Sequence, residues 1–276
     1  MNKIGSGILI ALLIFSFSAC TQENDSNALQ EGELQYGVFI GADPEQIDSF
    51  EGYDIVVIDA AYYSKTDIDK LHQQNTTVYS YLNIGSIENF RDFFSDYKHL
   101  ILDEYENWPG EYWVDVSDLG WQNQIQAQAA LLLEKDVDGF FLDNVDVYYQ
   151  YHTQEVFDGL TAILNNLDRH GKDIIVNGGD VFVSEAILES DSPAVRIAGV
   201  NQECVFTCID FENECLLPQS AEDTLYYQGY LEQCNEKGLA VYLLEYSNEE
   251  VLLPALVEYC DAHRFHYYVS SSIDLS

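Results

Sequence analysis

The chain is poor in positive charge. Its 276 residues include 11 Lys and Arg against 48 Asp and Glu, which leaves a formal net charge of -37. A nucleic-acid-binding surface needs clustered basic side chains, so this balance excludes a nucleic-acid partner and disfavours docking on anionic lipid. A cationic partner is favoured, and the alternative is that the acidic surface only keeps the protein soluble.

The chain also lacks the motifs of several common mechanisms. It has no GxSxG nucleophile elbow, no P-loop and no GxGxxG turn, which disfavours the enzyme classes that those motifs mark. Its six His residues form no metal-binding pattern, and its Cys spacings are not of the paired CxxC kind, so a zinc site is disfavoured. We therefore expect no metal and no cofactor, and carboxylate chemistry remains.

The first 20 residues form a segment of their own. A positive start at Lys3 is followed by an apolar run at residues 8–17 and by small residues up to Cys20, which is the pattern of a secretory signal peptide. A membrane-spanning helix is the alternative, but it needs roughly 20 apolar residues. We therefore expect a signal peptide at residues 1–20 and an exported protein.

The end of this signal resembles a bacterial lipobox, in which the Cys is acylated. Ser18, Ala19 and Cys20 match that pattern, whereas Phe17 departs from the usual Leu. The resemblance implies lipidation at Cys20 and a protein anchored by lipid on the outer side of a bacterial membrane, with secretion as the alternative. The polar residues 21–33 predict a flexible tether to a domain at residues 34–276.

Five Cys residues follow the tether, at Cys204, Cys208, Cys215, Cys234 and Cys260. Export permits disulfides, and five thiols allow at most two bridges within the chain, with the pairing left open. Because four of the five lie between residues 204 and 234, we expect a stapled loop at one edge of the domain.

Short β-rich runs alternate with helical runs along the domain, which is typical of parallel βα units. The nine strand candidates are residues 35–40, 54–59, 77–84, 112–116, 139–143, 173–177, 196–201, 239–245 and 266–270. Apolar residues at helical spacing predict crossover helices at 121–135 and 153–170. An eight-stranded barrel uses roughly 250 residues. We therefore predict an α/β fold, a single (β/α)8 TIM barrel, with residues 112–116 in a long excursion after strand three.

Several of these strands run apolar and then end on a polar residue. The residues are Asp59, Asn83, Asp143, Asn177, Glu203 and Glu245. The C-terminal ends of parallel barrel strands converge on one face, where barrel enzymes hold their catalytic groups. Capping of a helix explains any one of them, but six together predict an active site on this face.

Asp143, in the run GFFLDNVD, lies at the centre of this constellation. Cleaving a glycosidic bond needs one carboxylic acid that protonates the leaving oxygen and a second carboxylate that attacks the sugar or activates water. Carboxylates at separate strand ends meet this need, and aromatic side chains that can stack on sugars accompany them, with ordinary packing as the alternative. These aromatic residues are Tyr62, Tyr63, Tyr81, Trp113, Trp121, Tyr148, Tyr149 and Tyr246.

Six ordered blocks of the sequence resemble glycoside hydrolase family 114, whose named activity is endo-α-1,4-polygalactosaminidase. The blocks are VVID ending at Asp59, YLNIGSIENFR at 81–91, WPGEYWVDV at 108–116, GFFLDNVD at 139–146, VNQEC at 200–204 and AVYLLEY ending at Tyr246. Together they cover nearly all of the chain after the tether. NIGSIENFR differs from the commoner forms of the family, which leaves the exact substrate open.

The resemblance implies a β/α barrel with a retaining mechanism, in which Asp143 is the nucleophile and Glu203 the general acid and base. It implies substrate subsites lined by Asp59, Tyr81, Glu88, Asp115, Asn144, Asp146, Asn201, Glu245 and Tyr246. For Glu88 and Arg91 the alternative is a structural ion pair. A partly deacetylated polygalactosamine is a cationic polysaccharide, so the resemblance gives the acidic charge a use.

Two other functions are compatible with the residues. One is a non-catalytic carbohydrate-binding lipoprotein at the cell surface. The other is a metal-dependent hydrolase, for instance a deacetylase, that uses the carboxylates of DNVD as ligands. The spacing of Asp143 and Glu203 carries a further expectation, because carboxyl groups about 5 to 5.5 Å apart indicate retention and about 6.5 to 9.5 Å inversion.

Overall fold

Eight parallel strands form the barrel that the alternation predicts. The structure is a computed structural model that describes residues 34–248 and 253–276. The expected signal peptide, the tether and Cys20 lie outside the described residues. Within them, no helix is long and apolar enough to cross a membrane.

The strands of the described residues are, in chain order, β1 (Tyr36–Phe39), β2 (Ile55–Ile58), β3 (Thr77–Asn83), β4 (Ser86–Glu88), β5 (Ile101–Glu104), β6 (Glu111–Val114), β7 (Gly139–Asp143), β8 (Asp173–Asn177), β9 (Gly199–Glu203), β10 (Thr207–Asp210), β11 (Cys215–Pro218), β12 (Ala240–Tyr246) and β13 (His266–Ser270). The barrel strands pair in the order β1-β2-β3-β7-β8-β9-β12-β13. Past the last strand, the amide of Gly41 donates to the carbonyl of Leu275 at 3.1 Å, which brings the two edges together. The α/β barrel prediction is confirmed.

Helices cover the outside of the barrel. They are α1 (Lys65–Gln73), α2 (Phe94–Tyr97), α3 (Leu119–Glu134), α4 (Val147–Gln150), α5 (Gln154–Asp168), α6 (Asp180–Val183), α7 (Ala221–Glu236) and α8 (Leu253–His263), with 3-10 turns at Pro44–Phe50 and Lys98–Leu100 and a π turn at Ser184–Leu188. The predicted crossover helices are α3 and α5. Asp118 and Thr153 cap their N-termini, which satisfies backbone N–H groups that lack partners in the first turn.

Side chains of the barrel strands alternate between two buried layers. Residues such as Val57, Phe141, Ile175 and Leu244 fill the barrel interior, whereas their neighbours along the chain pack outward against the helices. Successive side chains of a strand point to opposite faces. This alternation decides which polar residues at the strand ends reach the open face of the barrel.

A long insertion separates β3 from β7, as predicted. It holds a three-stranded antiparallel sheet in the order β4-β6-β5, so most of the run 112–116 is indeed a strand outside the barrel. The insertion passes close to the loop after β7 at Gly85, where a Cβ atom would lie 1.8 Å from the carbonyl oxygen of Asn144. Only glycine permits this approach, which fixes the insertion beside Asp143.

The sixth barrel strand differs from its prediction. It was expected at residues 196–201 but runs from Gly199 to Glu203, so Glu203 ends the strand instead of following it. A hairpin of β10 and β11 comes next, where a stapled loop was expected. Within the described residues, none of the five Cys residues after the tether is part of a disulfide, so the hairpin is held by its backbone ladder and by Glu245.

Candidate active site

The open face of the barrel carries a cleft of about 770 Å³ at the C-terminal ends of the strands. A cleft of this size lies toward the upper end of the range for small-molecule pockets, and it accommodates more than one sugar unit. Its floor contains Asp143 from β7, Asn177 from β8 and Glu203 from β9. The three side chains lie on neighbouring strands and point to the same side of the sheet.

One amide nitrogen joins the two acids. Nδ2 of Asn177 donates to Oδ1 of Asp143 at 2.8 Å and to Oε1 of Glu203 at 2.7 Å. Since both oxygens bond to the same atom, they lie no more than 5.5 Å apart. The sequence prediction had placed Asn177 at this face without giving it a role.

The two acids differ in their remaining partners. Burial raises the pKa of Asp143, whereas bonds from Asn177, the backbone N–H of Asn144 and the Tyr81 hydroxyl oppose that rise by stabilising the carboxylate. Burial and the neighbouring Asp143 raise the pKa of Glu203 to about 7, against bonds from Asn177 and Tyr246. Donors to the ionised form favour it, so Asp143 is the better carboxylate and Glu203 the better acid.

Tyr246 holds the second oxygen of Glu203. Its hydroxyl, at the end of β12, donates to Oε2 of Glu203 at 2.7 Å. With Asn177 on Oε1, both oxygens of Glu203 have a donor, which fixes the plane of the carboxyl group. Tyr246 therefore lies directly beside Glu203 in the cleft.

A group of charges lies on the β2 side of the cleft. Nη2 of Arg91 contacts Oδ2 of Asp59 at 3.0 Å and Oε1 of Glu88 at 2.9 Å. Its guanidinium also lies over the exposed rings of Tyr62 and Phe90, 5.9 and 5.1 Å from their centroids. All five line the cleft, so Glu88 forms the ion pair considered as an alternative and also belongs to the cleft wall.

Asp146 lies deeper, near the start of α4. It accepts a hydrogen bond from the amide of Gly179 at 3.1 Å, and burial raises its pKa to about 7. It lines the cleft together with Asn144, and both stay predictions as subsite residues.

Glu111 is a cleft carboxylate that the sequence prediction missed. Its Oε1 accepts from Nδ2 of Asn83 at 3.0 Å, from Nδ2 of Asn144 at 2.8 Å and from the Ser86 hydroxyl. These bonds tie the inserted sheet to β3 and to the loop after Asp143, and burial raises the pKa of Glu111 to about 7. Glu111 belongs to the block WPGEYWVDV, from which the resemblance implies Asp115 as a subsite residue.

The expectation that Asp115 lines a substrate subsite is corrected, because Asp115 does not line the cleft. Its carboxylate closes a local turn by accepting from the amide and the hydroxyl of Ser117, at 3.0 and 2.6 Å. The residue follows a strand of the inserted sheet and not a barrel strand, so it does not reach the C-terminal face that gathers the other acids.

Glu245 and Asn201 are the other two corrections among the expected subsite residues. Glu245 neighbours Tyr246, which points inward, so alternation turns Glu245 to the outer layer. There its oxygens accept from the amides of Val205 and Thr207, both at 2.9 Å. Asn201 points inward but lies fully buried beneath Asn177. Neither residue lines the cleft.

Glu245 therefore has a structural role that a variant can measure. Glu245→Ala leaves several buried backbone donors without a partner, and each unsatisfied group costs about 1 to 3 kcal/mol. We expect the free energy of unfolding to fall by roughly 2 to 4 kcal/mol, measured by chemical denaturation. Glu236→Ala, on the exposed surface of α7, removes the same side chain as a control. Equal stability of both variants would contradict the anchoring role.

The sequence matches one protein family, and the fold is similar to solved structures of glycoside hydrolases. The model of glycoside-hydrolase family GH114 matches residues 18–272, whereas no curated protein matches the chain. Among solved structures, the glycoside hydrolase domain of PelA from Pseudomonas aeruginosa is 19% identical, with a TM-score of 0.73 over 88% of this chain and 96% of that chain. Ega3 of Aspergillus fumigatus in complex with galactosamine is 17% identical, with a TM-score of 0.67 over 88% and 92%.

A more distant structure shares the barrel alone. Trehalose-6-phosphate hydrolase from Bacillus licheniformis is 12% identical, with a TM-score of 0.51 over 77% of this chain and 57% of that chain. At such identities the structural likeness establishes the fold, and the family model, which spans nearly the whole sequence, establishes the relationship. The chain belongs to glycoside-hydrolase family GH114 and is a glycosidase, as the ordered blocks predicted.

Proposed function

We propose that this protein is an exported glycosidase that cleaves an α-linked amino-sugar polysaccharide, similar to polygalactosamine, with retention at the anomeric carbon. Asp143 is the nucleophile and Glu203 the general acid and base. The observation that carries the proposal is the shared donor Asn177, which keeps the nearest oxygens of the two acids within 5.5 Å. That limit is compatible with the carboxyl spacing of about 5 to 5.5 Å typical of retaining enzymes.

The chemistry proceeds in two steps. Protonated Glu203 donates its proton to the glycosidic oxygen while the carboxylate of Asp143 attacks the anomeric carbon, so one C–O bond breaks and another forms. Water then attacks the same carbon, and Glu203 accepts a proton from that water as the bond to Asp143 breaks. A pKa of about 7 for Glu203 allows it to hold the proton at neutral pH before the first step.

The charge of the cleft supports a cationic amino sugar. Arg91 is the one Lys or Arg side chain among the described lining residues, and Asp59 and Glu88 already pair with it. The acidic lining residues are Asp43, Asp59, Glu88, Glu111, Asp143, Asp146, Glu203 and Asp274. A cleft lined by one sign of charge raises the local concentration of the opposite charge. The galactosamine bound by Ega3 is a sugar of this kind.

The proposal of export is supported by the signal-peptide pattern of residues 1–20. We propose further that Cys20 is lipidated. A polymer outside the cell requires an enzyme outside the cell, so localisation and substrate support each other. Labelling cells with a radioactive fatty acid tests the lipid anchor. The protein should lose this label in Cys20→Ala, whether that variant is exported or keeps its signal peptide.

A product analysis tests the function directly. The purified protein is incubated with polygalactosamine, polyglucosamine, their N-acetylated forms and a neutral α-glucan, and the products are identified by mass spectrometry. Proton NMR during the first minutes reads the anomer released. Oligomers from polygalactosamine alone, released as the α-anomer, are expected. Release of the β-anomer would overturn retention, and no cleavage of any amino-sugar polymer would overturn the substrate.

Salt should weaken the reaction if charge recruits the substrate. Raising the ionic strength from 0.01 to 0.15 M shortens the Debye length from about 30 to about 8 Å, which screens attraction to the acidic cleft. We expect kcat/KM on polygalactosamine to fall by roughly tenfold, with most of the change in KM. The N-acetylated polymer is the matched control, because it is neutral. An equal response of both polymers would remove electrostatic attraction from the account.

A further inference from the structure

A buried pair of polar residues lies one layer below the catalytic acids. Asn201 on β9 is the register partner of Asn177 on β8, and it is 0% exposed. Tyr36 enters from β1 across the barrel interior and is 3% exposed. Substrate reaches neither side chain, since neither lines the cleft.

These side chains form one continuous hydrogen-bonded chain. The Tyr36 hydroxyl donates to Oδ1 of Asn201 at 3.0 Å, and Nδ2 of Asn201 donates to Oδ1 of Asn177 at 2.7 Å. Asn177 then donates from Nδ2 to both acids. The side-chain amides of Asn201 and Asn177 thus both present the acceptor oxygen toward Tyr36 and the donor nitrogen toward the cleft.

The direction of this chain has chemical consequences, because an amide has a donor end and an acceptor end. In the reversed direction, Oδ1 of Asn177 would face Asp143 and Glu203, so three acceptors would meet without a proton between them whenever both acids are ionised. That arrangement removes both bonds that stabilise the charged acids. In the observed direction, the Tyr36 hydroxyl donates to Oδ1 of Asn201 and satisfies the buried oxygen at the far end of the hydrogen-bonded series.

We propose that Tyr36 is a positioning residue that acts through Asn201 to keep the donor end of Asn177 on Asp143 and Glu203. This rests on the proposed roles of the two acids and adds a residue on the far side of the barrel to the machinery. Tyr36 touches no reacting atom, so its effect should appear in the ionisation of the acids and in kcat, and not in binding of the polymer.

Tyr36→Phe removes the hydroxyl and keeps the ring. Bonds from Asn177 lower the pKa of both acids, so weakening them should move both limbs of the pH profile of kcat upward. A bond to a charged group contributes about 1.5 to 3 kcal/mol, and one pKa unit corresponds to about 1.4 kcal/mol, so we expect a shift on the order of one pH unit with KM unchanged.

The environment of Glu203 makes the shift specific to this chain of bonds. The titratable groups that face Glu203 are Asp143 from β7, Tyr246 from β12, Tyr36 from β1, Tyr105 just after β5 and the adjacent Cys204. Burial and these neighbours raise the pKa of each tyrosine, so all three hydroxyls stay neutral where the acids titrate. Loss of the Tyr36 hydroxyl therefore changes no charge beside Glu203.

A matched variant and a measurement without substrate complete the test. Tyr242→Phe removes a hydroxyl from the neighbouring ring, whose centroid lies 4.8 Å from that of Tyr36, and leaves the chain of bonds intact. Carbon-13 NMR of labelled Glu carboxyls follows the titration of Glu203, identified by the signal missing in Glu203→Gln. This titration is informative even if no polymer is cleaved, so failure of the proposed function stays separate.

We expect the pKa of Glu203 to rise in Tyr36→Phe and to stay at its original value in Tyr242→Phe. An unchanged pKa in Tyr36→Phe would overturn the positioning role. An equal rise in both variants would also overturn it, because the effect would then come from losing any hydroxyl in the barrel interior.

Discussion

Asp143→Asn is expected to lower kcat on polygalactosamine by roughly 10⁴-fold or more, a loss of the size seen when an enzyme nucleophile is removed. The amide keeps the shape of the side chain but cannot attack the anomeric carbon. Its Nδ2 would also face the donor of Asn177 unless the new amide turns its oxygen there. Because the cleft keeps its remaining contacts, the variant should still bind the polymer.

Initial-rate kinetics and calorimetric binding on the same preparation separate these two effects. Asp43→Asn is the matched control, since it makes the same change of charge at an exposed position of the cleft wall and should leave kcat within a few-fold. If Asp143→Asn keeps activity within tenfold of the original, Asp143 is not the nucleophile. If the protein only binds carbohydrate, the original protein and Asp143→Asn should bind the polymer equally well, and neither should cleave it.

The barrel could be predicted from the sequence because the patterns that indicate its strands and helices are local. Runs such as IVVI and GFFLD are apolar and bounded by turns, and each leads to a helix with apolar residues at helical spacing. Repetition of this unit limits the topology, because parallel neighbours with helical crossovers leave few arrangements. The run 112–116 has the same pattern, and it is excluded from the barrel by the count of eight together with its short length and its place in a long excursion after strand three.

The positions of the two acids that we propose as catalytic could be predicted from the sequence for a related reason. A carboxylate directly after an apolar run falls at the C-terminal face of the barrel, and Asp59, Asp143 and Glu203 reach the cleft in this way. Glu245 satisfies the same rule and yet points outward. Its neighbour Tyr246 occupies the inward phase of β12, so applying the two-residue period to the whole strand would have excluded Glu245.

The hydrogen-bond partners of the two acids could not be predicted from the sequence, because only the folded structure brings them together. Glu111 lies in the inserted sheet, 32 residues before Asp143 in the sequence, and it reaches the cleft only because β4 and β6 pair beside Gly85. The direction of the Asn177 amide depends on Asn201 and Tyr36, whose strands β9 and β1 meet across the barrel interior. No local pattern encodes such contacts, because burial and register place the groups together.

Glu203→Gln should remove the acid and base function while leaving the nucleophile. General acid–base catalysis contributes about 10²- to 10⁴-fold, and we expect a loss of kcat in that range on the polymer. Ionisation of Glu203, whose pKa is about 7, should set the alkaline limb of the original pH profile, because activity falls as the acid loses its proton. That limb should disappear in the variant.

The leaving group distinguishes this role from a loss of structure. The nitrophenolate group of a nitrophenyl glycoside leaves without needing a proton. On such a substrate, the first step of Glu203→Gln should retain nearly its original rate and produce a burst of nitrophenolate. Added azide, which needs no general base, should then restore the second step and yield a glycosyl azide of retained configuration. On the polymer, which has a poor leaving group, azide should have no effect.

The same reagent gives the opposite stereochemistry when the nucleophile is missing. In Asp143→Ala, azide can occupy the vacated space and attack the anomeric carbon directly, and a single displacement inverts it. The two variants together therefore assign the acids, because retained azide product from Glu203→Gln and inverted product from Asp143→Ala require Asp143 to form the covalent bond. Exchange of the two results would exchange the roles, and inversion in both would contradict a covalent intermediate on either acid.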